Sequence, residues 1–327
     1  MNRARRTLTP GKRRGLQQCA DQEGIFCILA LDHRRVVQDA FQGASGGPFP
    51  AAAQFKKDVV AAMAPAVTAV LLDPHYGAGP MLADGSLPGR LGLVVSVEKS
   101  GYEGPSTGRL SQLSKDWSVA KIKRMGASAV KLLVYYHPDS PHAAAMRQLV
   151  SQVAENCRQY DLSLFLEPLT YALEPARLPS PGERRELVVR TAAELSSLGA
   201  DILKVEFPTD VYQERDENAW MMSCSELDSA TAIPWVLLSA AVDYEIFLRQ
   251  ATIACQAGAS GILAGRAIWK EALNLDGDER RRFLGGPALQ RMECLRATCC
   301  QYGYPYLQWL DAAPAEEHWP ESYRDFG

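Results

Sequence analysis

The sequence has no apolar run long enough to cross a membrane and no excess of basic charge. One of its longest apolar runs, residues 61–72, is interrupted by Pro65, whereas a spanning helix needs about 20 apolar residues. The formal net charge is −3 over 327 residues, so there is no large basic field of the kind that attracts nucleic acid. We therefore expect neither a membrane nor a nucleic acid as a partner.

The eight cysteines have no spacing typical of a metal site or of a disulfide framework. The sequence contains no CxxC pair and no Cys/His cluster, and a chain of this length does not need disulfides to fold. We expect no metal, no cofactor and reduced thiols, as in a cytoplasmic protein. Cys299 and Cys300 are better interpreted as two free thiols on a C-terminal helix than as a redox pair.

Basic residues are concentrated at the start of the chain. No apolar segment follows them, so the pattern matches neither a secretory signal nor a transit peptide. We interpret residues 1–24 as a solvated basic arm that leads into a helix. The basic residues are Arg3, Arg5, Arg6, Lys12, Arg13 and Arg14.

Eight short apolar segments recur along the chain, and each is followed by a stretch that can form a helix. The segments are near-continuous rather than alternating, which is typical of parallel strands buried on both faces. Three of them follow a glycine that can end the preceding helix. They lie at residues 25–31, 67–72, 91–97, 129–135, 162–166, 201–207, 234–238 and 261–264.

Eight such units predict an α/β fold, a single (β/α)8 TIM barrel over residues 25–286. An open, doubly wound sheet is the competing architecture. However, no GxGxxG motif follows the first strand, and eight strands is a high number for that class. We expect residues 287–327, rich in Trp, Tyr and Glu, to form a final helix and an irregular extension of the same domain.

The chemistry of a TIM barrel lies at the carboxyl ends of its strands. Of the ten lysines in the chain, only Lys131 and Lys204 fall inside strand patterns. A buried, unpaired charge is costly, so two such lysines among carboxylates indicate a site rather than lysines at a strand edge. The eight predicted strand ends carry Asp32, Asp73, Glu98, Lys131, Glu167, Lys204, Ser239 and Arg266.

A lysine in a pocket of low dielectric, beside a second cation, has a lowered pKa and can attack a carbonyl as a free amine. The resulting Schiff base withdraws electrons from an adjacent carbon–carbon bond. Carboxylates must then transfer protons, and Asp32 and Glu167 are the candidates. An ion pair with a neighbouring lysine is the alternative role of each carboxylate, and the two roles are compatible.

Three residues after the seventh and eighth strands predict a phosphate site. Ser239, Gly265 and Arg266 occupy the place where many barrels bind phosphate. Small residues let backbone N–H groups approach an anion, and arginine adds a fixed charge with a planar fork. A surface arginine that opens the last helix is the alternative interpretation of Arg266.

Together these motifs resemble the tagatose 1,6-bisphosphate aldolase family, class I (Schiff-base) aldolases that include sulfofructosephosphate aldolase relatives. The resemblance extends from about residue 12 to 275. The matching stretches are ALDHR at 30–34, LLDPHYG at 71–77, EKSGYEG at 98–104, WSVAKIKRMGASAVKLLVYYHPD at 117–139, FLEPLTY at 165–171, DILKVEFP at 201–208, PWVLLSAAVD at 234–243 and AGASGILAGRAIW at 257–269.

The resemblance implies a role for seven of these residues. The imine-forming lysine falls on Lys204, and the lysine that acidifies it and contacts substrate oxygens falls on Lys131. The proton-transfer carboxylate falls on Glu167, and the first-strand aspartate falls on Asp32. The family's phosphate grip falls on Ser239, Gly265 and Arg266.

Two departures from the family's usual motifs bear on the substrate rather than on the chemistry. His33 stands where the family usually has glutamine, and Ala241 stands where it usually has glycine. A methyl group at residue 241 could crowd the approach of the backbone to a phosphate. The charged residues are all retained.

We therefore expect a class I aldolase that cleaves D-tagatose 1,6-bisphosphate to dihydroxyacetone phosphate and glyceraldehyde 3-phosphate. The alternatives are a sulfofructosephosphate aldolase, a catalytically idle barrel that binds sugar phosphates, and a sugar-phosphate epimerase or isomerase. The last has little use for two buried lysines. The expected partner is a small sugar phosphate, and the chain could form a homo-oligomer.

Overall fold

Eight parallel strands form a closed barrel in the computed structural model, which describes residues 5–174, 176–311 and 317–323. The strands follow one another around the ring in chain order, and the last pairs with the first. The predicted TIM barrel is confirmed. Its strands are β1 Phe26–Leu31, β2 Ala69–Leu72, β3 Gly92–Ser96, β4 Ala129–Tyr136, β5 Ser163–Thr170, β6 Ile202–Val205, β7 Trp235–Leu238 and β8 Gly261–Ala264.

The barrel strands are buried on both faces. Every residue of six of the eight strands is buried, with partial exposure only in β4 and β5. Inside the barrel, Phe26 packs edge-on against Phe165, with ring centroids 5.6 Å apart. The outward faces pack against the surrounding helices. This double burial explains why the strands read as continuous apolar runs.

Helices surround the barrel and extend past its last strand. No helix in the described part of the chain is long and apolar enough to span a membrane. The α-helices are α1 Pro10–Cys19, α2 Arg35–Ala40, α3 Pro48–Met63, α4 Gly79–Ala83, α5 Val119–Arg124, α6 Ala143–Gln159, α7 Pro181–Ser196, α8 Glu217–Ala230, α9 Tyr244–Gln256, α10 Arg266–Trp269, α11 Gly277–Phe283, α12 Leu289–Tyr302 and α13 Trp319–Ser322.

Strand β5 is longer than the sequence predicted. The apolar run ends at Leu166, but β5 continues through Pro168 and pairs with β4 as far as Thr170. Its pairing with β6 covers only Phe165 and Leu166, so β5 has a free edge on that side, where proline is tolerated. The extension holds Glu167 within a strand rather than on a loop.

The two ends of the chain close the amino-terminal side of the barrel. Arg6–Thr7 pairs in parallel with Leu310–Asp311. Arg6 and Lys12 both approach Asp201, at 3.8 Å and 2.9 Å, and Lys12 is buried. The interpretation of a solvated arm is therefore wrong for Lys12, which is buried against Asp201, whereas the side chain of Arg6 is 37% exposed. Residues 1–4 of that arm, and 312–316 and 324–327 of the predicted extension, lie outside the described residues.

Candidate active site

A cavity of about 520 Å³ opens at the carboxyl ends of the barrel strands. Charged side chains from β4, β5 and β6 and from the end of β1 form its floor, and the loops after β7 and β8 form one wall. All seven residues predicted from the sequence line this cavity. They are Asp32, Lys131, Glu167, Lys204, Ser239, Gly265 and Arg266.

Lys131 of β4 is the centre of the charged cluster. Its Nζ lies 2.7 Å from Asp32 Oδ2, 2.7 Å from Glu98 Oε1 and 2.9 Å from Glu167 Oε2. Lys131 donates hydrogen bonds to Asp32 and Glu98, and Glu167 is a third carboxylate within ion-pair distance. Within the described residues no group of three or more His, Cys, Asp or Glu is arranged to hold a metal ion; these carboxylates converge on an ammonium group instead.

Glu167 connects Lys131 to the second lysine. Lys204 Nζ, on the neighbouring strand β6, lies 2.8 Å from Glu167 Oε2. The same oxygen is 2.9 Å from Lys131 Nζ. Lys204 is only 4% exposed and Glu167 only 6%. One buried carboxylate oxygen therefore lies between the Nζ atoms of the two lysines.

Opposite charges outweigh burial in setting the pKa values of this cluster. Burial disfavours a charged lysine, yet Asp32, Glu167 and Glu98 hold the pKa of Lys131 well above its usual value. Burial likewise disfavours charged carboxylates, but Lys131 and Lys204 hold the pKa values of Asp32 and Glu167 below their usual range. Lys131 is thus a cation at neutral pH, a state in which an amine is not nucleophilic.

The loops after β7 and β8 are joined by a hydrogen bond. The Gly265 N–H donates to Ser239 Oγ over 3.1 Å. A Cβ at residue 265 would lie 3.1 Å from the Ala30 carbonyl oxygen and 3.2 Å from His33 Cε1. Because a side chain there would crowd both groups, glycine lets the β8 loop approach the end of β1.

Two successive alanines follow Ser239 in a strained conformation. Ala240 and Ala241 have φ angles of +43° and +64°, in the left-handed region that favours glycine. Both line the cavity. The methyl group at residue 241, which the sequence identified as a departure from the family pattern, is therefore at the cavity wall.

Arg266 brings a positive charge to the same wall. It begins α10 and lines the cavity half-buried. In the part of the chain that the structure describes, its guanidinium forms no ion pair with a carboxylate. A fixed cation that faces a cavity without an internal counter-charge is suited to an anionic ligand.

Sequence reasoning gave no role to two residues that are part of this site. Glu98, which follows β3, binds Lys131 with one oxygen and accepts the N–H of Leu133 with the other over 3.2 Å. Arg34 donates to Ser96 Oγ and to the Glu98 carbonyl oxygen, at 3.2 Å and 2.6 Å. The sequence signals for them were their places just after a strand and within the stretches ALDHR at 30–34 and EKSGYEG at 98–104.

Asp73, at the end of β2, does not line the cavity although its position resembles that of the other strand-end residues. It is fully buried and pairs with Lys56 of α3. Its second oxygen accepts the backbone N–H groups of His75 and Tyr76, at 2.9 Å and 2.8 Å. Lys56 Nζ also donates to the Leu31 carbonyl oxygen over 2.8 Å. This buried ion pair therefore has a structural role outside the cavity.

Comparison with solved structures shows the fold that this chain shares. A fructose-bisphosphate aldolase of Plasmodium falciparum is similar over 93% of this chain and 99% of its own, with a TM-score of 0.66 and 16% identity. A Schiff-base-forming fructose-1,6-bisphosphate aldolase is similar over 86% of this chain and 97% of its own, with a TM-score of 0.58 and 19% identity. At such identities the likeness concerns the barrel alone.

Comparison of sequences gives the family. The chain is 32% identical over 301 residues to a tagatose 1,6-diphosphate aldolase of Listeria monocytogenes, with 83% of this chain and 85% of the relative covered. It is 30% identical over 292 residues to tagatose 1,6-diphosphate aldolase 2 of Enterococcus faecalis, with 82% and 86% covered. The model of the DeoC/LacD family aldolases matches residues 26–271. The chain therefore belongs to the DeoC/LacD family of aldolases.

Proposed function

We propose that this aldolase is of class I and cleaves D-tagatose 1,6-bisphosphate to dihydroxyacetone phosphate and glyceraldehyde 3-phosphate, with Lys204 as the Schiff-base lysine. The observation that carries the proposal is the position of Glu167 Oε2, 2.8 Å from Lys204 Nζ and 2.9 Å from Lys131 Nζ. One carboxylate can exchange a proton with Lys204 while Lys131 stays charged. The names of the curated relatives support the choice of substrate.

The first step is loss of a proton from Lys204. Glu167 Oε2 is within hydrogen-bond distance and accepts it. This transfer removes one of the two cations that depress the pKa of Glu167, so the carboxyl group retains the proton more readily. The neutral amine then attacks C2 of the ketose and forms a carbinolamine.

Glu167 next returns its proton to the carbinolamine hydroxyl, which leaves as water. The resulting iminium accepts the electron pair of the C3–C4 bond as that bond breaks, and the C4 hydroxyl gives its proton to Glu167, which is a carboxylate again once water has left. The enamine then takes a proton at C3, and water hydrolyses the iminium to free dihydroxyacetone phosphate and Lys204. Asp32 contacts Lys131 at 2.7 Å and has a strongly depressed pKa. A carboxylate in this state is a weak base, so we assign Asp32 to orienting the substrate hydroxyls rather than to removing the C4 proton.

The cavity offers cations for both ends of a doubly anionic substrate. Arg266 stands after β8, and we assign the 1-phosphate to it together with Ser239 and Gly265. Arg34 is held above the end of β3 by its bonds to Ser96 and Glu98. On a ring of eight strands these two arginines stand three strand positions apart, so a second anionic group can lie near Arg34.

A sulfofructosephosphate aldolase is the second candidate, because it needs the same lysines and the same 1-phosphate site. Its substrate differs in the anionic group at C6, which is a sulfonate instead of a phosphate. The idle sugar-phosphate-binding barrel is disfavoured, since both lysines and all three carboxylates are present and in contact. A sugar phosphate as ligand, and assembly into a homo-oligomer, stay predictions.

A substrate panel tests the proposal. Purified enzyme is incubated with tagatose 1,6-bisphosphate, fructose 1,6-bisphosphate and 6-deoxy-6-sulfofructose 1-phosphate, and the triose products are identified by mass spectrometry. We expect the highest kcat/KM with the tagatose compound. A higher value with the sulfonate compound would establish the second candidate, and binding of all three without cleavage would establish the idle barrel.

A further inference from the structure

His33 stands between the charged cluster and the loop after β8. Its ring lies edge-on to Trp269, with ring centroids 5.3 Å apart, and its Cε1 lies beside Gly265, 3.2 Å from where a Cβ at that residue would stand. Its Nδ1 is buried, lies 3.8 Å from Asp32 Oδ1, and makes no hydrogen bond within the described residues. The side chain also lines the cavity. His33 is therefore close both to a carboxylate and to the loop where we place the phosphate.

Four charged groups act on this imidazole. Burial is the largest influence and disfavours protonation of the ring. The carboxylates of Asp32 and Glu167 favour protonation, whereas the cations of Arg266 and Lys204 oppose it. The balance lowers the pKa of His33 to about 4. In the enzyme without substrate, the ring is thus neutral at neutral pH.

A neutral imidazole cannot serve two anions at once. It has one N–H donor and one lone pair. In one tautomer the N–H faces Asp32, and the other nitrogen has only a lone pair, which cannot donate to an anion in the cavity. In the other tautomer the nitrogen that faces Asp32 has only a lone pair and cannot donate to that carboxylate. The imidazolium donates from both nitrogens. An anion bound to Arg266 also offsets the positive charge that opposes protonation of the ring.

We propose that His33 takes up a proton from solvent when a phosphate dianion binds beside Gly265 and Arg266, and that the imidazolium then bridges the dianion and Asp32. The inference rests on the proposed function only for the location of the phosphate. It makes His33 a specificity-determining residue, because a dianion drives the proton uptake more strongly than a monoanion or a hydroxyl group does.

The sign of the pH dependence follows from linkage. His33 has a higher pKa in the complex than in the free enzyme, so protonation adds to affinity at any pH below the pKa of the complex. Affinity for the dianion therefore rises as pH falls from that pKa toward about 4, the value for the free enzyme. Below that point the free enzyme is already protonated and the gain levels off.

Titration calorimetry with sodium sulfate tests the inference, because sulfate stays a dianion across the range used. Binding is measured near pH 6 in buffers of different ionisation enthalpy. We expect the wild type to take up as much as about one proton per sulfate, and affinity to rise severalfold, up to about tenfold, from near pH 8 to near pH 6. His33→Gln should bind sulfate with almost no proton uptake. His318→Gln, at an exposed histidine outside the cavity, should behave as the wild type does.

Equal proton uptake by the wild type and His33→Gln would overturn the inference while leaving the anion site intact. A wild type that does not bind sulfate, or binds it equally well after Arg266→Ala, would overturn the anion site on which the inference rests. The Schiff-base chemistry is measured separately, by trapping at Lys204, so its failure is distinguishable from both results.

Discussion

Two buried lysines of this chain are alike in burial and opposite in surroundings. Lys131 is 1% exposed and Lys56 is 0% exposed. Lys56 meets one carboxylate, that of Asp73, behind the barrel wall, and burial, the largest influence there, lowers its pKa. Lys131 meets three carboxylates at the floor of a cavity, and they hold its pKa well above the usual value.

The difference shows what separates a structural ion pair from a reactive site. The Lys56 site pairs one lysine with one carboxylate, and both side chains are fully buried. The cluster at the cavity has three carboxylates for the two lysines Lys131 and Lys204, and it is open to the cavity. An excess of carboxylates beside a second lysine provides a proton acceptor. The buried Lys56–Asp73 pair has no such excess.

The largest expected effect belongs to the carboxylate that the two lysines share. Glu167→Gln should lower kcat by roughly 10²- to 10⁴-fold, the usual contribution of a general acid–base group, with a folded protein by circular dichroism. Glu206→Gln is the matched control, because Glu206 lines the same cavity at the next strand end but binds Thr170 and Arg184 rather than the two lysines. Equal losses in the two variants would contradict the role of Glu167.

The buried Lys56–Asp73 ion pair should affect the stability of the protein and not its catalysis. Lys56→Met leaves the Asp73 carboxylate buried without its cation, which should lower the free energy of unfolding by about 3–5 kcal/mol in urea denaturation. The kcat of the folded protein should stay near the wild-type value. Adding Asp73→Asn, which keeps an acceptor for His75 and Tyr76, should restore much of the stability. A kcat that falls with stability would show that Lys56 acts on the site.

The barrel could be predicted from the sequence because burial on both faces leaves a continuous apolar run for each strand. Strand ends could be read as a candidate site for the same reason, since Lys131 and Lys204 interrupt apolar runs. The sequence could not show that Asp73 turns away from the cavity, because its partner Lys56 is on a helix whose packing is a tertiary feature. Nor could it show that Glu98 reaches Lys131, since no local pattern relates β3 to β4.

The anion side of the cavity can be tested separately from the lysines. Arg266→Ala should raise KM for a ketose 1-phosphate by roughly 10- to 100-fold, which corresponds to a charge-assisted hydrogen bond of about 1.5–3 kcal/mol, with a smaller change in kcat. Arg281→Ala removes an exposed arginine paired with Asp278 and should leave KM unchanged. Similar KM values for the Arg266 variant and the wild type would contradict this phosphate site.

The smallest effect is expected at the strained loop. Ala241→Gly should change the free energy of unfolding by no more than about 1 kcal/mol, since relief of the left-handed conformation outweighs, by a small margin, the greater freedom of glycine in the unfolded chain. Ala193→Gly, at an exposed position inside α7, should instead destabilise by about 1 kcal/mol. A loss of stability at residue 241 equal to that at residue 193 would show that the loop is not strained.

The central claim is that Lys204, beside a permanently charged Lys131, carries the covalent intermediate. Enzyme is treated with borohydride in the presence of dihydroxyacetone phosphate, and the adduct is mapped by peptide mass spectrometry. The account predicts an adduct on the peptide that contains Lys204, none in Lys204→Ala, and slow trapping that persists in Lys131→Ala. An adduct on Lys131 in the wild-type enzyme would contradict it.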